Sequence, residues 1–241
     1  MSQALDPDQL ALSLANVDAR MEAAARRVRR DPARIRLLAV SKTFPAPAVR
    51  ALAEAGQKAF AESYAQEAVD KLDATADLEL EWHFIGPLQS NKAKLVAPGF
   101  AFVHSVDRIK TARALDRCRE DLPPLDICLQ VNVSGEAAKS GTAPEGLTDL
   151  AEQVATECPN LRQRGLMTLP APAASPEASR PAFRELAGLL AGLRRTGPEA
   201  SWDVLSMGMS RDFEVAIEEG ATHVRVGSAL FGERDEREDE T

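Results

Sequence analysis

Eight short apolar runs, often β-branched or aromatic, recur along this chain, most of them separated by a helical pattern. They lie at Arg36–Val40, Lys58–Ala61, Trp82–Ile85, Phe100–His104, Asp126–Val133, Gly165–Leu169, Trp202–Ser206 and Thr222–Val226. Runs this short, bounded by turn residues, read as strands, and strands alternating with helices build parallel sheets. The helical period is plainest at Leu147, Leu150, Ala151, Val154 and Cys158, entered through Pro144 and stopped by Pro159. Gly56 and Gly220 stand where C-terminal helix caps belong, each just before a strand. Eight strand–helix units in about 210 residues predict an α/β fold, a single (β/α)8 TIM-type barrel. A doubly wound open sheet uses a similar alternation with fewer strands, but the chain has no GxGxxG or Walker motif to favour it.

An extra N-terminal helix is expected within residues 1–31. Asp6 before Pro7 makes a cap and first turn, Leu10, Leu14, Val17, Met21 and Val28 share one stripe, and Asp31-Pro32 ends the pattern. Residues 233–241 read as a charged, solvated tail. The proline-rich stretch Pro170–Pro181 reads as a mobile loop after the sixth strand, because too few residues follow it for an independent core. Residues 1–241 are therefore expected to form one domain.

Composition removes several function classes. With 44% apolar and 27% charged residues the chain is neither disordered nor rich enough in apolar runs for a membrane span. Its N-terminus lacks a signal-peptide pattern, so it is expected in the cytoplasm. A formal net charge of −8 runs against nonspecific nucleic-acid binding, and Arg26, Arg27, Arg29 and Arg30 read as a solvated helix face. Cys118, Cys128 and Cys158 have no CxxC spacing, so buried thiols are expected rather than disulfides or a metal site.

In a barrel of this kind chemistry gathers at the C-terminal ends of the strands. Strand one ends in Ser41-Lys42-Thr43, strand two in Glu62-Ser63-Tyr64, and strand seven runs into Ser206-Met207-Gly208-Met209-Ser210. Strand eight ends in Arg225-Val226-Gly227-Ser228. Gly208 and Gly227 would let backbone N–H groups approach an anion, and Ser206, Ser210 and Ser228 offer hydroxyls, which together suit a phosphate; ordinary turns and caps use the same residues. Lys42 is open to two readings: a snorkelling surface lysine, or an amine that condenses with an aldehyde once desolvation or a nearby cation has raised its neutral fraction. An aldehyde carrying a phosphate would use both clusters, and pyridoxal 5′-phosphate is such a molecule. Arg225 would then lie against its ring nitrogen.

These motifs resemble the YggS/PROSC family of pyridoxal phosphate homeostasis proteins. The likeness rests on Ala39–Thr43, Glu81–Lys92, Arg164–Met167, Leu205–Ser210 and Val224–Gly227, and covers roughly residues 35–232. The resemblance implies a barrel related to the N-terminal domain of alanine racemase. It also implies pyridoxal phosphate held as a Schiff base on Lys42, with Ser206, Gly227 and Ser228 at the phosphate and Arg225 facing the pyridine nitrogen. His83 and Asn91 belong to the family signature and are expected to line the site. The family's usual Gly-Glu-Asn-Tyr is here Ala61-Glu62-Ser63-Tyr64, so Ser63 would reach the cofactor less far than an asparagine.

A pyridoxal phosphate site does not by itself make an enzyme. Arginine holds its proton too firmly to protonate the ring nitrogen, so the ring stays a weak electron sink. Racemases on this barrel also need a second acid/base, commonly a tyrosine from an added β domain, and Tyr64 is the single tyrosine here. The expectation is a carrier and regulator with no assigned catalytic residue and no metal, the alternative being an amino-acid racemase of the alanine racemase type. Its partners would be pyridoxal phosphate and pyridoxal-phosphate-dependent apoenzymes, with neither nucleic acid nor membrane. A barrel that closes its own edges is expected to be a monomer.

Overall fold

Helix α1 (Pro7–Arg27) opens the structure, a computed structural model that describes residues 6–136, 139–171, 173–198 and 201–232. The Asp6 side chain accepts from the Asp8 N–H and Pro7 occupies the first turn, so the helix begins as its sequence dictates. Leu10, Leu14, Val17 and Met21 are buried. Val28, expected on that stripe, is instead the C-cap and is exposed, because Arg29 turns into the left-handed region at φ +56°. Asp31-Pro32 is therefore not the stop: it starts a separate 3-10 turn, Pro32–Arg34, with Asp31 Oδ1 accepting from the Ala33 N–H.

Eight strands then alternate with helices. The first half runs β1 (Arg36–Val40), α2 (Ala46–Glu54), β2 (Ala59–Glu62), α3 (Ala65–Ala74), β3 (Glu81–Phe84), α4 (Ala93–Val96), β4 (Phe102–Val106) and α5 (Ile109–Arg117). The second runs β5 (Leu125–Gln130), α6 (Leu147–Glu157), β6 (Leu161–Met167), α7 (Arg180–Thr196), β7 (Val204–Met209), α8 (Phe213–Glu218), β8 (His223–Val226) and α9 (Ser228–Phe231). The strands pair in parallel and in sequence order, and β8 returns to β1 to close the barrel. This is the TIM-type fold the alternation predicts, with α1 packed over α2, α8 and α9.

Several boundaries differ from the sequence reading: β4 and β7 lie about two residues later than expected, and β5 ends at Gln130 rather than Val133. Strand β6 starts at Leu161, ahead of the expected Gly165, since Arg162 and Arg164 hide a strand that ends in ion pairs rather than apolar burial. The expected loop Pro170–Pro181 closes with a 3-10 turn, Pro176–Ser179, and its last two residues open α7. The expected tail, 233–241, and residues 1–5 lie outside the described residues.

Alternation along each strand sorts the side chains. Leu37, Ala39, Phe60, Trp82, Val103, Leu205 and Val224 face the helices in the main apolar core. The opposite faces fill the barrel interior with two smaller apolar groups, one around Leu38, Val40 and Ile85 and one around Phe102, Cys128 and Met167. His83, His104, Ser206 and Arg225 share that interior, buried to 2% exposure or less. Cys128 and Cys158 are buried as expected, whereas Cys118 at the C-cap of α5 is only half-buried. No helix among the described residues is long and apolar enough to cross a membrane.

Candidate functional site

At the C-terminal end of β1 the chain turns sharply, and Lys42 occupies the turn, half-buried. Thr43 follows at φ +68°, a left-handed conformation unusual for a β-branched residue. Phe44 then stacks on Phe231 at the end of α9, with centroids 4.8 Å apart, which ties the Lys42 turn to the segment after β8. The Lys42 Nζ lies 5.8 Å from the centre of the Tyr64 ring, near the outer limit of a cation–π contact. Strand pairing brings the second cluster alongside, since Leu38 is in register with Arg225 and Ala39 with Val226.

Arg225 crosses the barrel interior. One terminal nitrogen donates to Ser206 Oγ on β7 at 2.8 Å and the other to the Thr168 carbonyl after β6 at 2.8 Å. Its Nε is buried and has no partner. Burial pushes the guanidinium down to about 10, helped back by Asp212 and Cys128, so it remains protonated at neutral pH. A buried charged donor without an acceptor is costly, and its persistence marks a place where something else accepts.

Ser210, after β7, accepts from two backbone N–H groups, those of Gly227 at 3.2 Å and Ala229 at 3.3 Å. Two amides and a hydroxyl therefore converge at the start of α9, where Ser228 is exposed. Gly208 makes this approach possible: it sits at φ +90°, and a Cβ there would come within 2.5 Å of Ala216 Cβ. Across the mouth, Gly86 is packed so closely that a Cβ would lie 2.0 Å from the Ser63 carbonyl oxygen, fixing the loops after β2 and β3 against each other.

The remaining expected residues are spread more widely. Ser63 follows β2 beside Tyr64 and is half-buried, while Asn91 is exposed on a 3-10 turn, Ser90–Lys92. His83 lies inside the barrel, with one ring nitrogen 2.9 Å from His104 Nε2 and the other 2.9 Å from Glu81 Oε1. It is thereby joined to the N-terminal end of the barrel, where Glu81 also receives Arg36 at 2.5 Å. Burial lowers His83 and takes His104 well below its ordinary value, keeping both rings neutral at neutral pH.

Sequence reasoning missed the buried cluster beneath Lys42. Ser41 Oγ donates to Glu62 Oε1 at 2.6 Å, and Lys71 Nζ reaches Glu62 Oε1 at 2.7 Å and Glu67 Oε1 at 2.5 Å. The i,i+4 pair Glu67 and Lys71 reads as a solvated helix face, and nothing in its spacing says that it turns inward. Among the described residues no group of acidic, histidine or cysteine side chains is arranged to hold a metal.

Residues 12–235 match the family model of the alanine racemase N-terminal domain. The pyridoxal phosphate homeostasis protein of Pseudomonas aeruginosa is 55% identical over 227 residues, covering 94% of this chain and 96% of that protein. Its Escherichia coli K12 counterpart is 47% identical over 232 residues, covering 95% and 98%. PipY of Synechococcus elongatus, solved with PLP bound, superposes with a TM-score of 0.82 at 35% identity, covering 92% of this chain and 100% of that one.

Proposed function

The chain belongs to the family of pyridoxal phosphate homeostasis proteins, and we propose that it binds pyridoxal 5′-phosphate at the C-terminal mouth of its barrel. The observation that carries this reading is the buried, unpartnered Nε of Arg225, below a lysine on the adjacent strand end. The group fits the residues present: a neutral aromatic nitrogen is an acceptor that Nε lacks, and the convergent amides near Ser210 suit phosphate oxygens. When bound, pyridoxal phosphate supplies an aldehyde carbon that condenses reversibly with a primary amine and a ring that withdraws electrons.

Each residue then has a task. Lys42 supplies the amine. Ser206, Gly227 and Ser228 are assigned to the phosphate, with Ser206 also holding the Arg225 guanidinium in place. Arg225 offers the ring nitrogen a hydrogen bond yet keeps its proton at Nε, because its pKa, though lowered to about 10, is still far above neutrality. That withholds the proton which would make the ring a strong electron sink, so the protein is a cytoplasmic carrier and not an efficient catalyst. Ser63 and Asn91 line the mouth, and His83 lines the wall beneath, its nitrogens already engaged. We assign the carrier to work as a monomer that supplies pyridoxal-phosphate-dependent apoenzymes.

The test is an absorption spectrum with added pyridoxal phosphate, before and after borohydride, followed by peptide mapping. The expected result is a single reduced adduct on Lys42, abolished in Lys42→Ala while the far-ultraviolet circular dichroism is unchanged. Adducts scattered over surface lysines would overturn the assignment. Rapid loss of optical rotation from L-alanine would instead favour the racemase reading, for which Tyr64 beside Lys42 is the available second base.

A further inference from the structure

Lys42 stands between two residues whose backbones are both held by the same buried cluster. On its N-terminal side the Ser41 carbonyl accepts from Lys71 Nζ at 2.5 Å, and the Ser41 hydroxyl is bound to Glu62. On its C-terminal side the Thr43 N–H donates to Glu67 Oε1 at 2.6 Å. Lys71 joins the two halves: its three ammonium protons go to Ser41 O, Glu62 Oε1 and Glu67 Oε1. Its side chain is only 6% exposed, and that of Glu62 is fully buried.

Two features mark this as more than packing. Thr43 is held in the left-handed region, which a β-branched residue leaves unless its surroundings hold it there. Glu62 is buried with its second oxygen, Oε2, lacking any partner, an arrangement that a cluster serving stability alone would avoid. Helix α3 supplies both Glu67 and Lys71 from one face, four residues apart, so a single helix position sets the turn on which the amine is carried.

We propose that Glu67 and Lys71 are positioning residues for Lys42, clamping Ser41 and Thr43 so that the amine is presented to the cofactor in one orientation. The proposal rests on the reading of Lys42 as the anchoring amine. The clamp cuts the freedom that the turn would lose on binding, and such preorganisation raises affinity without adding a contact.

Glu67 is the residue to change, because its side chain is 29% exposed and its removal leaves no fully buried charge on its own site. In the ligand-free full chain, Glu67→Ala should speed amide exchange at Thr43 by about tenfold, the worth of a hydrogen bond to a charged acceptor. It should weaken pyridoxal phosphate binding by about tenfold and change the visible circular dichroism of the bound cofactor, with the melting temperature little altered. Glu67→Gln, which keeps an oxygen for the Thr43 N–H, should restore all three. Unchanged exchange at Thr43 would overturn the clamp, and so would a freed Thr43 with wild-type affinity and dichroism. A wild-type adduct mapped to another lysine would overturn the proposed function instead, while exchange at Thr43 still decides whether the clamp exists.

Discussion

At the N-terminal end of the barrel the charges answer one another, whereas toward the C-terminal end a buried arginine and a buried glutamate each keep one atom without a partner. Below, Arg36 pairs with Glu81, Glu81 also meets His83, and Arg164 spans Asp126 at 2.7 Å and Asp203 at 2.6 Å. The response is mutual: the hydrogen bond from His83 leads in holding Glu81 down at about 2, and the bond to Asp203 leads in raising Arg164. Above, Arg225 Nε and Glu62 Oε2 are buried without partners, and Thr43 is strained. A cavity of about 990 Å³ opens at the lower end, lined in part by Arg36, Asp126, Arg164 and His223. Arg36, Asp126 and Arg164 there are ion-paired, so the buried, unpartnered Arg225 Nε is the better guide to a ligand.

That contrast can be broken by substitution, and the largest effect belongs to the mouth. Arg225→Ala should weaken pyridoxal phosphate binding by at least about tenfold, since a hydrogen bond to a charged donor is lost. The absorption band of the bound cofactor should shift as well, and a spectroscopic titration reads both. Next, Arg164→Ala should cost about 1 kcal/mol in urea denaturation, leaving Asp203 without its ion pair and the largely buried Asp126 with Arg162 alone. Its affinity for the cofactor should stay at the wild-type value. If the two variants exchanged effects, the assignment of roles to the two ends would be reversed.

Acid sharpens the comparison further. Burial holds His83 and His104 below 6.5, so the unfolded chain takes up protons there that the folded chain refuses. Their contribution is intact above about 6.5 and falls as the pH drops through that value toward the lowered folded pKa. Glu81 has the same sign at lower pH, its contribution present above 4.5 and lost as the pH approaches 2. Glu62, raised by burial against the pull of Lys71, runs the other way: its contribution is present below 4.5 and lost as the pH rises through its folded value. The net expectation is a urea midpoint that falls from pH 7 to pH 5, with a slope of up to about 1.4 kcal/mol per pH unit for each proton refused. His104→Leu should make the slope shallower by one proton's share, leaving that of His83 and of His223, which burial lowers to about 3. The smallest effect is that of Ser63→Asn, which should tighten cofactor binding by about threefold if the longer amide gains a hydrogen bond; equilibrium dialysis resolves that.

Much of this was legible in the residues. Strand β1 falls at Arg36–Val40 as its short apolar run indicates, and Gly56 and Gly220 take the positive φ that a cap before a strand requires. The start of β6 was not legible, because Arg162 and Arg164 look like loop residues until Asp126 and Asp203 are brought opposite them. At the site, Lys42 and Arg225 stand out as charges at the ends of apolar strands. Lys71 does not: an i,i+4 Glu–Lys pair on a helix is an ordinary surface pattern, and nothing in it says that Lys71 will be buried against Glu62. His104 and His223 were hidden for a similar reason, since a lone histidine in a strand carries no sign of which ring it will meet.

The most direct test is a high-resolution crystal structure of the protein with pyridoxal phosphate. The contrast between the two ends predicts density joined to Lys42 Nζ, with the pyridine nitrogen within hydrogen-bond reach of Arg225 Nε and the phosphate at Gly227 and Ser228. Ligand density in the lower cavity between Arg36 and Asp126, with the mouth left empty, would contradict it.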